Sequence, residues 1–223
     1  MLLTREEVKE MMKSNPEIEK MVQFENAKPK IMARLLPLSR VSNGEIYTLF
    51  HDIAIVYSIV LESKTENGSQ ITIRILYSHL DLWDTTKTEI HKIAMENTLQ
   101  RENIVLTPMR QMVEDLQGKP VEYLDDIEEA PMYVLTNKSF ISGAIAILDS
   151  NIQKKIADLL GGDYYIIPSS IHEVIVIPYD LMETEELNQM IKDINNECVS
   201  ADDRLSNHAF KYNSETRKIE IQV

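Results

Sequence analysis

The residues best equipped for chemistry share one short polar stretch, Pro168-Ser169-Ser170-Ile171-His172-Glu173, set between two apolar runs, Tyr164 to Ile167 and Val174 to Ile177. A serine hydroxyl becomes a nucleophile when a neighbouring imidazole takes its proton, so Ser169 or Ser170 with His172 would suit acyl transfer, and the reading this implies is a hydrolase. Two parts of that machinery are lacking. No Gly-x-Ser-x-Gly elbow surrounds the serines, and spacing supplies no third group to orient the imidazole, although folding could bring Asp52 or Asp81 to it. The same residues are ordinary turn formers, because serine hydroxyls bond nearby backbone groups and proline fixes its own φ. The turn reading is preferred, and the hydrolase is kept as the alternative.

A metal site would need histidines and acids at ligand spacing. His51 adjoins Asp52, His79 lies two before Asp81, Glu89 lies two before His91 and His172 adjoins Glu173, but there is no His-Glu-x-x-His and no cysteine pair. Neighbours along a strand point to opposite faces, so these adjacent pairs do not chelate one ion. Gly161-Gly162 lacks the following Gly-Lys-Ser/Thr of a phosphate loop and precedes a strand rather than a helix. Neither a metal nor a cofactor is expected.

The formal charge of −13 disfavours nucleic acid and anionic membranes, both of which are bound through clustered Lys and Arg. Acidic groups such as Asp125, Asp126, Glu128 and Glu129, or Asp180, Glu183, Glu185 and Glu186, read as solvated faces and helix starts. No apolar run approaches the roughly 20 residues needed to span a bilayer, and the early acids Glu6 and Glu7 do not fit a signal peptide, so a cytosolic location is expected. The single cysteine, Cys198, excludes an internal disulfide and is expected to be a small buried group on the apolar side of a helix.

The elements that must position these residues follow from hydrophobic period. Thr4 with Glu7 forms a capping box for a helix carrying Val8, Met11 and Met12, and Ile18, Met21 and Val22 make a second short stripe. Ile31 to Leu36 reads as a further short helical patch. Ile53 to Leu61 and Ile71 to Tyr77 predict a hairpin around Asn67-Gly68. Thr86 and Glu89 cap a helix with Ile90, Ile93, Ala94 and Asn97 inward, the amide of Asn97 tying it to an adjacent loop. A helix is expected over Met109 to Leu116. Met132 to Leu135 and Ile141 to Leu148 predict a second strand pair joined through Thr136-Asn137-Lys138-Ser139, with Gly143 marking a bulge or close backbone contact. Ser150 with Gln153 caps a helix bearing Ile152, Ile156, Leu159 and Leu160, which Gly161-Gly162 ends. After the Tyr164 to Ile177 hairpin come a helix with Leu187, Met190, Ile191, Ile194 and Cys198 on one face, and a final strand pair, Ala209 to Tyr212 with Lys218 to Val223. The class expected is α+β: a mostly antiparallel, hairpin-built sheet with amphipathic helices packed on it, organised as a helical segment over 1–30 and a single domain over 31–223.

Several stretches together carry a family resemblance: Asp52-Ile53-Ala54-Ile55-Val56-Tyr57, Ser78-His79-Leu80 onward to Trp83, Glu96-Asn97-Thr98, Met132-Tyr133-Val134-Leu135-Thr136-Asn137, and above all Ile167-Pro168-Ser169-Ser170-Ile171-His172-Glu173-Val174. They resemble an uncharacterised bacterial family classified as a domain of unknown function and found mainly in anaerobic Gram-positive bacteria. The resemblance implies no reaction, so it assigns no catalytic residue. With the polar residues placed as turns and caps, the expectation is a non-enzymatic cytosolic binding or regulatory protein with a protein partner. Its recognition surface would comprise Asn137 and the turn residues Ser169, Ser170, His172 and Glu173, held by rigid strands at one sheet edge.

Overall fold

The computed structural model describes residues 16–64, 70–101, 103–118 and 131–223. The expected Thr4 capping box, the Asn67-Gly68 turn and the acidic run at 125–129 lie outside them. The elements in chain order are α1 (Pro16–Lys20), α2 (Phe24–Ala27), β1 (Ile31–Pro37), β2 (Tyr47–Phe50), β3 (Ile53–Lys64), β4 (Gln70–Arg74), α3 (Tyr77–Trp83), α4 (Lys87–Arg101), β5 (Ile104–Pro108), α5 (Met109–Gln117), β6 (Tyr133–Asn137), α6 (Ser150–Leu160), β7 (Tyr164–Ile167), β8 (Val174–Pro178), α7 (Thr184–Glu197), β9 (Phe210–Asn213) and β10 (Lys218–Ile221), with a 3-10 helix at Gly143–Leu148. This is an α+β protein with antiparallel pairing. Its chain divides into two compact units, one holding the described parts of Met1–Ala33, Val41–Thr48 and Ile55–Gln100, the other Arg34–Arg40, Leu49–Ala54 and the described parts of Arg101–Val223. Neither is a continuous stretch of sequence.

In the first unit the hairpin forms as its alternation predicts, with Ile59 opposite Ile73 and Val60 opposite Thr72. Ile55, Tyr57, Ile59, Ile75, Ile90 and Ala94 are buried. Asn97 of α4 donates to the carbonyls of Lys28 and Ile31, both at 2.9 Å, so the expected tie between helix and loop is present. Ile31 to Pro37, whose residues from Arg34 onward belong to the second unit, is a strand, not the expected helical patch. Met, Ala, Arg and Leu favour helices in isolation, but Ile31, Ala33 and Leu35 are buried in alternation with half-buried Met32 and Arg34, and pairing with β3 overrides the local preference. Tyr77 begins α3 rather than ending a strand. His79 explains this, because its Nδ1 accepts the Leu76 N–H at 3.0 Å and caps the helix from within.

The second unit is built on a six-stranded antiparallel sheet in the order β10-β9-β7-β8-β6-β5. On one face Tyr165, Ile167 and Ile177 form a core with Leu187 and Ile191 of α7 and with Ala209. Ile175, within the second apolar run, is half-buried and packs at the margin of that core. The second expected strand of the Met132 pair is instead the 3-10 helix Gly143–Leu148, and β6 pairs with β5 and β8. Asp149, not Ser150, caps α6, accepting from the N–H groups of Asn151 at 2.7 Å and Ile152 at 3.3 Å. Cys198 is exposed where α7 ends, not buried. The buried face of α7 turns toward Asn188 and Asn195 instead, and their amides are bonded: Asn188 takes the Ala209 N–H at 2.8 Å and donates to the Gln222 carbonyl at 2.9 Å, while Asn195 donates to the Ser206 carbonyl at 2.9 Å.

Asp163, just before β7, accepts from the backbone N–H and hydroxyl of Ser214 at 2.9 and 2.7 Å and meets Lys211 Nζ at 3.0 Å. The Ser214 backbone bond leads the causes that hold its carboxyl down to about 2. Since the folded value lies below the ordinary 3.8, the stabilisation is present above pH 3.8 and is lost as pH falls from there through about 2. Asp163→Asn is expected to lower stability at neutral pH by about 1 to 2 kcal/mol, the range of a charged hydrogen bond discounted for partial exposure. Denaturant melts across pH should show the deficit shrinking over that acid window; a constant deficit would contradict the assignment.

Candidate functional site

The antiparallel register between β6 and β8 sets Leu135 opposite Val174, and the two polar turns that follow β6 and precede β8 therefore emerge side by side. Thr136 Oγ1 donates to the His172 carbonyl at 2.8 Å and fastens one turn to the other. The space between them admits only glycine at position 143, whose α-carbon faces Thr136, Asn137 and His172.

Within the 169–173 turn the serines face the carboxylate, not the imidazole. Ser169 and Ser170 donate to Glu173 Oε1 at 3.2 and 2.8 Å, and Ser170 Oγ accepts the His172 N–H at 2.9 Å. The His172 ring is engaged at both nitrogens: Nδ1 accepts the Ser142 N–H at 3.1 Å, which leaves the proton on Nε2, 3.3 Å from Asp203 Oδ1. Asp203 also receives the Ile171 N–H on its backbone carbonyl at 2.8 Å. Asn137 is buried at 1% exposure; its amide donates to the Ile141 carbonyl at 2.9 Å and its oxygen accepts from Ser139 at 2.8 Å and from the Ile141 N–H at 3.3 Å. Asn137 thus shapes its own turn. What that turn presents outward is Phe140 and Ile141, 54% and 63% exposed, on a backbone held at positive φ at Phe140 and Ser142.

The loop between α7 and β9 supplies Asp203 and two further groupings. Asp52 Oδ2 accepts from Ser206 Oγ at 2.7 Å and from His208 Nδ1 at 3.1 Å, while its Oδ1 is buried without a hydrogen-bond partner among the described residues. Asp52 therefore orients His208, not His172. Arg40 and Arg204 line a pocket of about 230 Å³ with Pro37, Ser39, Ala201, Leu205, Ser206 and Asn207. Neither grouping could be read from spacing, because each joins the loop to residues near the start of the chain. The one visible signal was compositional, a short run dense in Asp, Arg, Ser, Asn and His from Asp202 to His208.

The remaining histidines hold structure rather than one another's acids. His51 bonds the Ile219 carbonyl through Nε2 at 2.9 Å. In the first unit Tyr57 Oη lies 2.8 Å from His91 Nδ1 and 2.6 Å from Thr48 Oγ1. Burial pushes the Tyr57 hydroxyl up to about 12 and draws His91 below its ordinary value, so a neutral phenol faces a neutral imidazole. Burial likewise lowers His79, consistent with a bare Nδ1 capping α3. Asp81 belongs to the first unit and His172 to the second. Among the described residues no three His, Cys, Asp or Glu side chains converge as a metal site would require, and no helix is long and apolar enough to cross a membrane.

No curated protein and no solved structure matches the chain. A family's sequence profile does, over residues 2–214, which takes in the paired turns, the Asp52 tie and the arginine-lined pocket. By that match the chain belongs to DUF5688, a family of unknown function.

Proposed function

We propose that the protein is a non-enzymatic binding or regulatory protein whose recognition surface is the sheet end where the turns after β6 and before β8 meet. The observation that carries this is the closure of the reactive groups on one another: both serine hydroxyls bond Glu173, and both His172 nitrogens are engaged by Ser142 and Asp203. A serine whose hydroxyl is turned to Glu173 and not to His172 lacks the Ser/His pairing on which the hydrolase alternative rests. Rigid polar turns with exposed Phe140 and Ile141 beside them suit a protein partner, since adjacent large apolar side chains at a fixed site supply contact area with little ordering cost. In this reading the protein works in the cytosol of a bacterium, of the anaerobic Gram-positive kind that the sequence resemblance implies, and binds neither nucleic acid nor membrane.

A fluorophosphonate probe is expected to leave Ser169 and Ser170 unlabelled. Labelling of the wild type that disappears in a Ser169→Ala, Ser170→Ala double variant would establish the hydrolase alternative instead. A Phe140→Ser, Ile141→Ser variant should keep the wild-type melting midpoint and lose at least tenfold in affinity for any partner recovered from the native host; unchanged affinity would remove this surface from the proposal.

A further inference from the structure

We propose that the pocket between Arg40 and Arg204 binds a phosphoryl group, either free phosphate or the terminal group of a small phosphate monoester. The inference goes beyond the binding reading above, since the pocket's lining shares no residue with the paired turns and would take a small-molecule ligand. In a chain of net charge −13, the pocket's lining includes two guanidinium groups and no carboxylate. Arg204 Nε donates to the Val199 carbonyl at 3.1 Å, which fixes the plane of the guanidinium, and its terminal nitrogens form no ion pair among the described residues. A guanidinium fixed in this way offers a fork that matches two oxygens of a phosphate.

Among the described residues the polar partner of Arg40 is Asp202, through that residue's backbone carbonyl and a 3.7 Å approach to a carboxylate that is 85% exposed. Such a solvated pair contributes little, so a better anion can displace it. Asn207 and Ser39 add polar residues to the same lining, and the Asn207 oxygen accepts from the buried Asn195 amide at 2.8 Å. Donors therefore outnumber acceptors, as recognition of an oxyanion requires. The volume of about 230 Å³ falls below the roughly 300–1,000 Å³ of pockets for drug-sized ligands, which restricts the occupant to a phosphate or a monoester of a few carbons.

The test is calorimetric titration of the full chain at low ionic strength with inorganic phosphate and, separately, with glycerol 3-phosphate. Saturable binding is expected in the wild type, weakened at least tenfold in Arg204→Gln and in Arg40→Gln. Arg217→Gln, which alters a different pocket also lined by Lys154 and Ser214, should bind as the wild type does. Tighter binding of one titrant tells whether the site takes free phosphate or an ester. Because Arg204 also holds the Val199 carbonyl, circular dichroism and the ligand-free melting midpoint accompany both pocket variants, and Arg40→Gln decides the matter if Arg204→Gln is unfolded. Non-saturable heats, or binding that survives both substitutions or is lost only in Arg217→Gln, would overturn the assignment. Release of phosphate from the ester would instead sink the non-enzymatic reading and leave the phosphoryl site standing.

Discussion

Leu187→Ala is expected to lower the stability of the second unit by about 2 to 5 kcal/mol, the range for deleting a fully buried leucine side chain and leaving a cavity. Leu187 is completely buried, and Tyr165, Ile167, Ile177, Ile191 and Ala209 surround it, so the sheet on one side and α7 on the other hold the walls of the cavity apart. The control is Ile194→Ala on the same helix. Sequence period places Ile194 on the inner stripe, but it is 45% exposed, and truncating it should cost under about 1 kcal/mol. Denaturant midpoints of the two variants, followed by far-ultraviolet dichroism, separate the alternatives. Equal losses would mean that α7 presents a different face from the one defined by Leu187, Asn188, Ile191 and Asn195.

The contrast between Leu187 and Ile194 shows how far hydrophobic period reaches. It located α7 but not its rotation, because the helix is seated partly by Asn188 and Asn195, polar residues whose bonds run to the loop before β9 and to the chain end. Tyr164 to Ile167 and Val174 to Ile177 were legible as strands because unbroken β-branched and aromatic runs suit a sheet covered on both faces. Ile104 to Pro108 was not, being a short half-buried run at the sheet edge with no turn signal to mark it. Ile31 to Pro37 carried helix-forming residues and a period-two burial pattern at once, and tertiary pairing decided between them. At the candidate site, local turn chemistry could be read from Ser169, Ser170 and Glu173, whose bonds close within five residues. The partners of His172 and of Asp52 are remote in sequence, and the Arg40 and Arg204 pocket exists only once the loop before β9 is folded back on the segment after β1.

Gly143→Ala is the second large effect expected, and it joins the fold to the surface. A β-carbon at this position would stand 2.5 Å from Thr136 Oγ1, 2.7 Å from the Asn137 nitrogen and 2.7 Å from the His172 carbonyl oxygen. The latter two are backbone atoms, fixed by the β6 to β8 pairing and by the turn, and cannot swing aside as a side chain would. The 3-10 helix must then lift away from the sheet, at about 1 to 3 kcal/mol for overpacking plus roughly 0.5 to 1.5 kcal/mol for each hydrogen bond broken, beginning with Ser142 N–H to His172 Nδ1 and Thr136 to the His172 carbonyl. Gly44 and Gly118 provide the comparison, since both have positive φ but nothing within 4 Å of an added β-carbon, and alanine there should cost only about 1 kcal/mol. Adding Thr136→Ala to Gly143→Ala removes the side-chain clash and keeps the two backbone ones, so it should restore only part of the lost midpoint. Full restoration would mean that Thr136 alone excludes a larger residue, and that the two turns are held together by one hydroxyl rather than by the close approach of their backbones.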